Sequence, residues 1–95
     1  MKTKLDKLRQ KIQTVDEKLI KIIAKRFKEV AKIANLKKKQ KVKVRQNGQW
    51  KKVLKNRLNQ GKKLHLDSQF LTKIFNHIHE ESIRLQNKII KKDNK

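Results

Sequence analysis

The sequence contains no cysteine, proline or tyrosine, and only two glycines and one tryptophan. The absence of cysteine excludes a disulfide scaffold and thiolate metal sites. Helix breakers are scarce and strand-like alternation is almost absent, while lysine, leucine, isoleucine and glutamine dominate, so the composition favours an all-helical fold. A chain of 95 residues forms a single domain near the size at which oligomerisation commonly supplies part of the buried surface.

Long hydrophobic runs are also missing. The first residues, Met1 to Lys4, lead into an amphipathic pattern rather than an apolar segment, and no run approaches the length needed to span a membrane. We therefore expect a cytoplasmic protein without a membrane partner.

Acidic residues are few, with 8 Asp and Glu against 29 Lys and Arg, which gives a formal net charge of +21. Such a charge is suited to binding nucleic acid. However, only five of the basic residues are arginine, and the lysines are spread along every segment instead of gathering on one face. Solvated lysines explain this distribution, and nucleic-acid binding is the less favoured interpretation.

The first half of the chain predicts one long helix, about residues 4–38. Apolar residues follow a heptad seam made of Leu5, Leu8, Ile12, Val15, Leu19 and Ile22. A second apolar row on a neighbouring face contains Ile20, Ile23, Phe27, Val30 and Ala34. Such a helix spans about 50 Å, against a breadth of about 30 Å for a compact chain of this size. We expect the middle of the helix to be buried on two sides, with a second copy of the chain supplying the partner helix.

A loop over residues 39–48 and a short second helix, about 49–60, are predicted next. Val42-x-Val44 followed by Asn47-Gly48 also fits a β-hairpin, but the segment after Gly48 does not alternate, which favours the loop. Gly61 stands where a left-handed C-terminal cap is expected.

A third helix, about 67–90, is predicted to begin at Asp67 as N-cap, with Leu66 packing on Leu71. Residues 91–95 are expected to form a frayed tail. The inward seam of this helix is Leu71, Phe75, Ile78, Ser82, Leu85 and Ile89.

Two cations of the first helix stand out. Arg26 interrupts the heptad seam, and Lys37 lies eleven residues later on the same face, about 16 Å away. Their long side chains could converge on one small dianion. Alternatively, Arg26 pairs with Glu29 or Glu17, and Lys37 belongs to a solvated lysine run, which is the favoured interpretation for Lys37 alone.

Arg9 flanks the same seam. It either lies along the seam while pairing with Asp6 or reaches into a partner chain.

Two polar residues interrupt the third helix's inward face. Ser82 and Gln86 are one turn apart, and a buried hydroxyl and carboxamide both need hydrogen-bond partners. The hydroxyl of Ser82 could donate a hydrogen bond to the carbonyl oxygen of Ile78. His77 and His79 lie on different faces, so they predict a polar flank rather than a metal site. The chain contains no convincing catalytic triad, phosphate loop or carboxylate pair.

This arrangement of a long helix with internal cations, a short helix and a third helix with inward Ser and Gln resembles the all-helical chorismate mutases, the type II or AroQ class. The residues that carry the resemblance are Leu8-Arg9-Gln10-Lys11-Ile12, Val15-Asp16-Glu17-Lys18-Leu19-Ile20, Ala24-Lys25-Arg26, Lys37, Gly61-x-x-x-x-Leu66-Asp67 and His79-Glu80-Glu81-Ser82-Ile83-Arg84-x-Gln86. They cover almost the whole chain.

The resemblance implies three helices per protomer in an intertwined homodimer, and the Claisen rearrangement of chorismate to prephenate in phenylalanine and tyrosine biosynthesis, without cofactor or metal. It implies that Arg9 is donated across the dimer interface and that Arg26 holds a carboxylate of the small dianionic substrate. It further implies that Lys37 and Gln86 hydrogen-bond the ether oxygen. Ser82 would contact a carboxylate.

The chain departs from the family at Gln46, Gln49 and Trp50, where the best-known members carry an acid, an arginine and a glutamate. Some relatives carry Gln and Trp at the outer two positions, so Gln46 and Trp50 stay candidate substrate-binding residues, while Gln49 is the less expected residue. The alternatives are an isochorismate pyruvate-lyase of the same fold, a basic helical nucleic-acid-binding protein, and a dimer that has lost catalysis.

Overall fold

A computed structural model describes residues 3–92 of the chain and shows three α-helices, with no strand among those residues. Helix α1 spans Lys4–Gln40, α2 spans Asn47–Lys63 and α3 spans Ser68–Lys92. Helix α3 packs against both α1 and α2. The all-helical prediction is confirmed.

Helix α1 has well-formed ends. At its start, Asp6 N–H donates to Thr3 Oγ1 at 3.1 Å and Thr3 N–H donates to Asp6 Oδ2 at 3.2 Å, which makes a capping box. At its end, Lys41 adopts a left-handed conformation, with φ 55°. The helix ends two residues later than predicted and accounts for the longest dimension of the chain, 58 Å.

The core lies at one end of α1. The buried apolar residues are Val30, Ala34, Leu71 and Ile83, and the buried polar residues are Ser82 and Gln86. These residues belong to the C-terminal part of α1 or to α3, and Gly61 of α2 is buried as well, so the core forms where α3 packs against α1 and α2.

The N-terminal part of α1 is left uncovered. The six residues of the heptad seam are between 52% and 64% exposed, and Ile20 of the second row is 65% exposed. Burial of the middle of α1 on two sides therefore does not occur within a single chain. Only Val30 and Ala34 of the second row are buried.

The connection between α1 and α2 is shorter than predicted. It covers residues 41–46, because Asn47 and Gly48 are already helical. The first turn of α2 closes when Trp50 N–H donates to Gln46 O at 3.0 Å. The loop prediction is thus confirmed for residues 41–46 and wrong for residues 39–40 and 47–48, which are helical, and the hairpin alternative is wrong.

The prediction that Gly61 ends α2 as a left-handed cap is wrong. The helix continues to Lys63, neither glycine has a positive φ, and His65 takes the left-handed conformation instead, with φ 62°. The absence of a side chain at Gly61 makes room for Leu71, because a Cβ at this position would overlap the Leu71 side chain. The missing side chain lets the end of α2 approach α3 closely.

Helix α3 begins as predicted, because Asp67 Oδ2 accepts a hydrogen bond from Phe70 N–H at 2.9 Å. It extends to Lys92, so the predicted tail starts two residues too early, and residues 93–95 lie outside the described residues. Among the described helices, none combines the length and apolar character that a membrane crossing needs.

Candidate active site

A cavity of about 320 Å³ is lined by α1, the following loop, α2 and α3. Its polar and aromatic lining residues are Arg26, Lys37, Gln46, Gln49, Trp50, Arg57, His79, Ser82 and Gln86. Its apolar lining residues are Val30, Ile33, Val44, Val53 and Ile83. Six of the seven site residues predicted from the sequence therefore lie around one cavity, and Arg9 is the exception.

Arg26 and Ser82 connect α1 to α3 at the wall of the cavity. Arg26 Nη1 donates to Ser82 Oγ at 3.0 Å, and that hydroxyl donates to the carbonyl oxygen of Ile78 at 2.8 Å. Burial lowers the pKa of Arg26, and the nearby charge of Arg57 lowers it further, although a guanidinium stays protonated at any physiological pH.

The alternative partners considered for Arg26 are engaged elsewhere. Glu29 pairs with Lys32 at 3.2 Å, and Glu17 accepts a hydrogen bond from Gln13 at 3.2 Å. The charge of Arg26 is therefore directed towards the cavity rather than balanced at the helix edge.

Lys37 is not the solvated lysine that the sequence alone favoured. Its side chain is half-buried, and Nζ donates to the carbonyl oxygen of Val44 at 2.7 Å. Burial lowers the pKa of this amine. Because an ammonium group has three donors, this bond positions Lys37 and leaves donors for a ligand in the cavity.

Gln86 lines the cavity from α3 and is 6% exposed. Its Oε1 accepts no hydrogen bond from the described residues. An unpaired buried carboxamide oxygen is costly in a folded protein, and a ligand in the cavity would supply the missing partner.

Trp50 and His79 form the aromatic wall of the cavity. Their rings are stacked with centroids 3.9 Å apart and an angle of 6° between the planes. Burial lowers the pKa of His79. The charges of Arg45, Arg26 and Lys37 lower it further, and only Glu80 acts in the opposite direction. The lowered pKa favours the neutral imidazole. The buried Nε2 of His79 has no partner among the described residues.

The sequence interpretation placed His79 on a polar flank and so missed this position. A signal was present, because His79, Ser82 and Gln86 follow the spacing i, i+3, i+7 and thus share one helix face.

A bidentate ion pair also went unpredicted. Arg45 Nη1 and Nη2 donate to the two carboxylate oxygens of Glu80 at 2.9 and 3.0 Å. This geometry ties the loop between α1 and α2 to α3, next to His79. The pair lies 35 residues apart in sequence, so no local pattern could indicate it.

Arg9 lies outside the cavity, on the exposed N-terminal part of α1. Seventeen residues of helix separate it from Arg26, which corresponds to about 25 Å along the axis. Asp6, the partner considered for it, accepts a hydrogen bond from Thr3 N–H in the capping box. Arg9 therefore cannot reach the cavity of its own chain.

The charge of the cavity has one sign. Three of its lining residues are cationic and none is a carboxylate. Cations that line one cavity without an acidic partner favour an anionic ligand. The carboxamide of Gln86, the hydroxyl of Ser82 and the ammonium of Lys37 add hydrogen-bonding groups that can orient it.

The sequence profile of the chorismate mutase type II family matches residues 8–87, a segment that includes all of the cavity's lining residues. The chain belongs to this family.

Two curated relatives are similar over most of the chain. One is a bifunctional chorismate mutase/prephenate dehydratase of Buchnera aphidicola subsp. Acyrthosiphon pisum, 37% identical over 84 residues, which cover 88% of this chain and 22% of the relative. The other has the same description, from Buchnera aphidicola subsp. Schizaphis graminum, and is 34% identical over 91 residues, 96% of this chain and 24% of the relative. The chain thus spans less than a quarter of the length of these relatives.

Proposed function

We propose that this chain is a chorismate mutase, which converts chorismate to prephenate by a Claisen rearrangement in aromatic amino-acid biosynthesis. The observation that carries the proposal is the convergence of Arg26, Lys37, Ser82 and Gln86 around one cavity without a carboxylate. Membership of the type II family supports the same assignment. Chorismate carries two carboxylates, and a cationic cavity of this size suits a small dianion.

The reaction is unimolecular: a carbon–oxygen ether bond breaks while a carbon–carbon bond forms, so the protein need not supply a nucleophile. Arg26 and Ser82 hold a carboxylate and keep the substrate in its reactive conformation. Lys37 Nζ and the amide of Gln86 donate hydrogen bonds to the ether oxygen, where negative charge builds up as the bond breaks. Such donors are effective because they are already in place and partly shielded from water.

The proposal includes an intertwined homodimer in which Arg9 of each chain completes the site of the other. Two observations support it: the heptad seam of α1 is exposed in the single chain, and Arg9 lies about 25 Å from Arg26 on that same uncovered part of α1. The proposed compartment is the cytoplasm, which fractionation of cells producing the tagged chain would test.

The test is the loss of chorismate and the formation of prephenate with purified protein. We expect Lys37→Ala and Gln86→Ala each to lower kcat by about 100-fold to 1,000-fold, because each removes a donor to the transition state. Arg26→Ala should also lower turnover strongly. Lys39→Ala is the matched control, because Lys39 is an exposed lysine of α1 two residues after Lys37 and does not line the cavity. This substitution should leave kcat unchanged.

Full turnover in both the Lys37 and Gln86 variants would refute the assigned roles. A folded parent that forms no prephenate would refute the mutase activity, and the same protein would then be assayed for release of pyruvate from isochorismate.

A further inference from the structure

Arg57 lies on the face of α2 that lines the cavity. It follows Trp50 by seven residues and Val53 by four, and both of these residues also line the cavity. This spacing places the three side chains on one side of the helix. Arg57 is half-buried, whereas Lys55 of the same helix is exposed.

The guanidinium of Arg57 acts electrostatically on the cavity. Its charge contributes to lowering the pKa of Arg26, so the two guanidinium groups repel each other across a shared space. No carboxylate among the lining residues offsets this repulsion. An anion bound between the two groups would offset it.

The contact that Arg57 makes within the chain leaves its charge unbalanced. Arg57 Nη1 donates to Asn56 Oδ1 at 2.6 Å, and Gln60 Nε2 donates to the same oxygen at 2.7 Å. Asn56 is a neutral amide, and a guanidinium has five N–H donors. Arg57 therefore keeps both its charge and donors for a ligand.

We propose that Arg57 is a substrate-binding residue that shares one carboxylate of the substrate with Arg26. This inference rests on the proposed mutase function. It adds Arg57 of α2 to the proposed site, so each chain contributes three positive side chains, Arg26, Lys37 and Arg57, to its own cavity. Binding of a dianion is then favoured over binding of a monoanion of the same shape.

The test uses Arg57→Gln, with Arg57→Lys as the conservative variant and Lys55→Gln as the matched control for charge on α2. Loss of one charge-assisted hydrogen bond to a carboxylate corresponds to about tenfold to a hundredfold in affinity. We expect Arg57→Gln to raise KM for chorismate by that factor and to weaken inhibition by prephenate, also a dicarboxylate, to a similar extent. Arg57→Lys should fall between the parent and Arg57→Gln, and Lys55→Gln should stay within about twofold of the parent, because its charge is solvated.

Thermal unfolding of the same variants separates binding from structure. A merely structural role predicts that Arg57→Lys and Arg57→Gln lose activity in proportion to lost stability, and this result would overturn the inference. An active parent with unchanged KM in Arg57→Gln would overturn it as well and leave the mutase function intact. A parent without chorismate turnover would overturn the mutase function itself, together with this role for Arg57.

Discussion

Ile12 lies in the middle of the exposed seam of α1, and its replacement by glutamate tests the proposed dimer. The side chain is 60% exposed in the single chain, so a charge at this position costs an isolated protomer little. In the proposed dimer the same position is buried against the partner helix. Ile12→Glu should therefore act on association and only weakly on the protomer itself.

The size of the effect follows from the exposed area. Full burial of a large aliphatic side chain contributes about 1.5–3 kcal/mol, and more than half of that remains available at Ile12. Burial of Ile12 in one chain then contributes about 1–2 kcal/mol to the free energy of association. A two-fold interface contains this residue twice, so the substitution removes about 2–4 kcal/mol. This corresponds to an increase in the dimer Kd of about 30-fold to 1,000-fold, before the cost of burying an unpaired carboxylate is added.

Sedimentation equilibrium over a range of protein concentrations measures this Kd. Thr14→Glu is the matched control, because it introduces the same charge on an exposed residue about 200° around the helix from Ile12. We expect the Thr14 variant to remain dimeric and the Ile12 variant to dissociate and lose turnover per chain. A parent that is monomeric at micromolar concentration, or an Ile12→Glu dimer as tight as the parent, would refute the reasoning.

Two further predictions concern the site. If Arg9 is donated across the interface, mixing inactive Arg9→Ala and Arg26→Ala chains should restore roughly a quarter of the parent's turnover. Half of randomly paired dimers contain one chain of each kind, and one of the two sites in each mixed dimer is intact. No recovery of turnover after the subunits have exchanged would contradict donation of Arg9. Because the pKa of His79 is lowered in the folded chain, the unfolded chain binds more protons below about pH 6.5, and stability should fall as the pH decreases through that value. Urea unfolding of the parent and of His79→Gln between pH 5 and 8 measures the free energy of unfolding at each pH. We expect it to fall less with decreasing pH in the variant. Identical pH dependence in both proteins would contradict a contribution of His79 to the pH dependence of stability.

Periodicity in the sequence predicted the helices and part of the cavity, while Gln46 and Trp50 were predicted from the family resemblance. The heptad seam and the excessive length of α1 follow from side-chain spacing along one helix, and such spacing is a local property of the chain. Arg26 and Ser82 each place a polar group where the pattern expects an apolar one, and Gln86 lies one turn after Ser82. Lys37 was recognised through its helical spacing from Arg26 and through the family resemblance.

The tertiary structure decided what these local patterns could not. Gly61 looked like a helix cap because glycine suits a left-handed turn, but the close approach of Leu71 from α3 is the reason for it. The stacking of Trp50 on His79 and the ion pair of Arg45 with Glu80 join segments about 30 residues apart or more.

The sequence by itself therefore determined an all-helical chain with an uncovered seam and a set of inward polar residues, because hydrophobic periodicity acts within each helix. Only the packing of α3 against α1 and α2 decided that three cations, an aromatic stack and a buried carboxamide line one cavity. Their positions depend on helix orientation and on contacts between distant segments, and no local pattern encodes these.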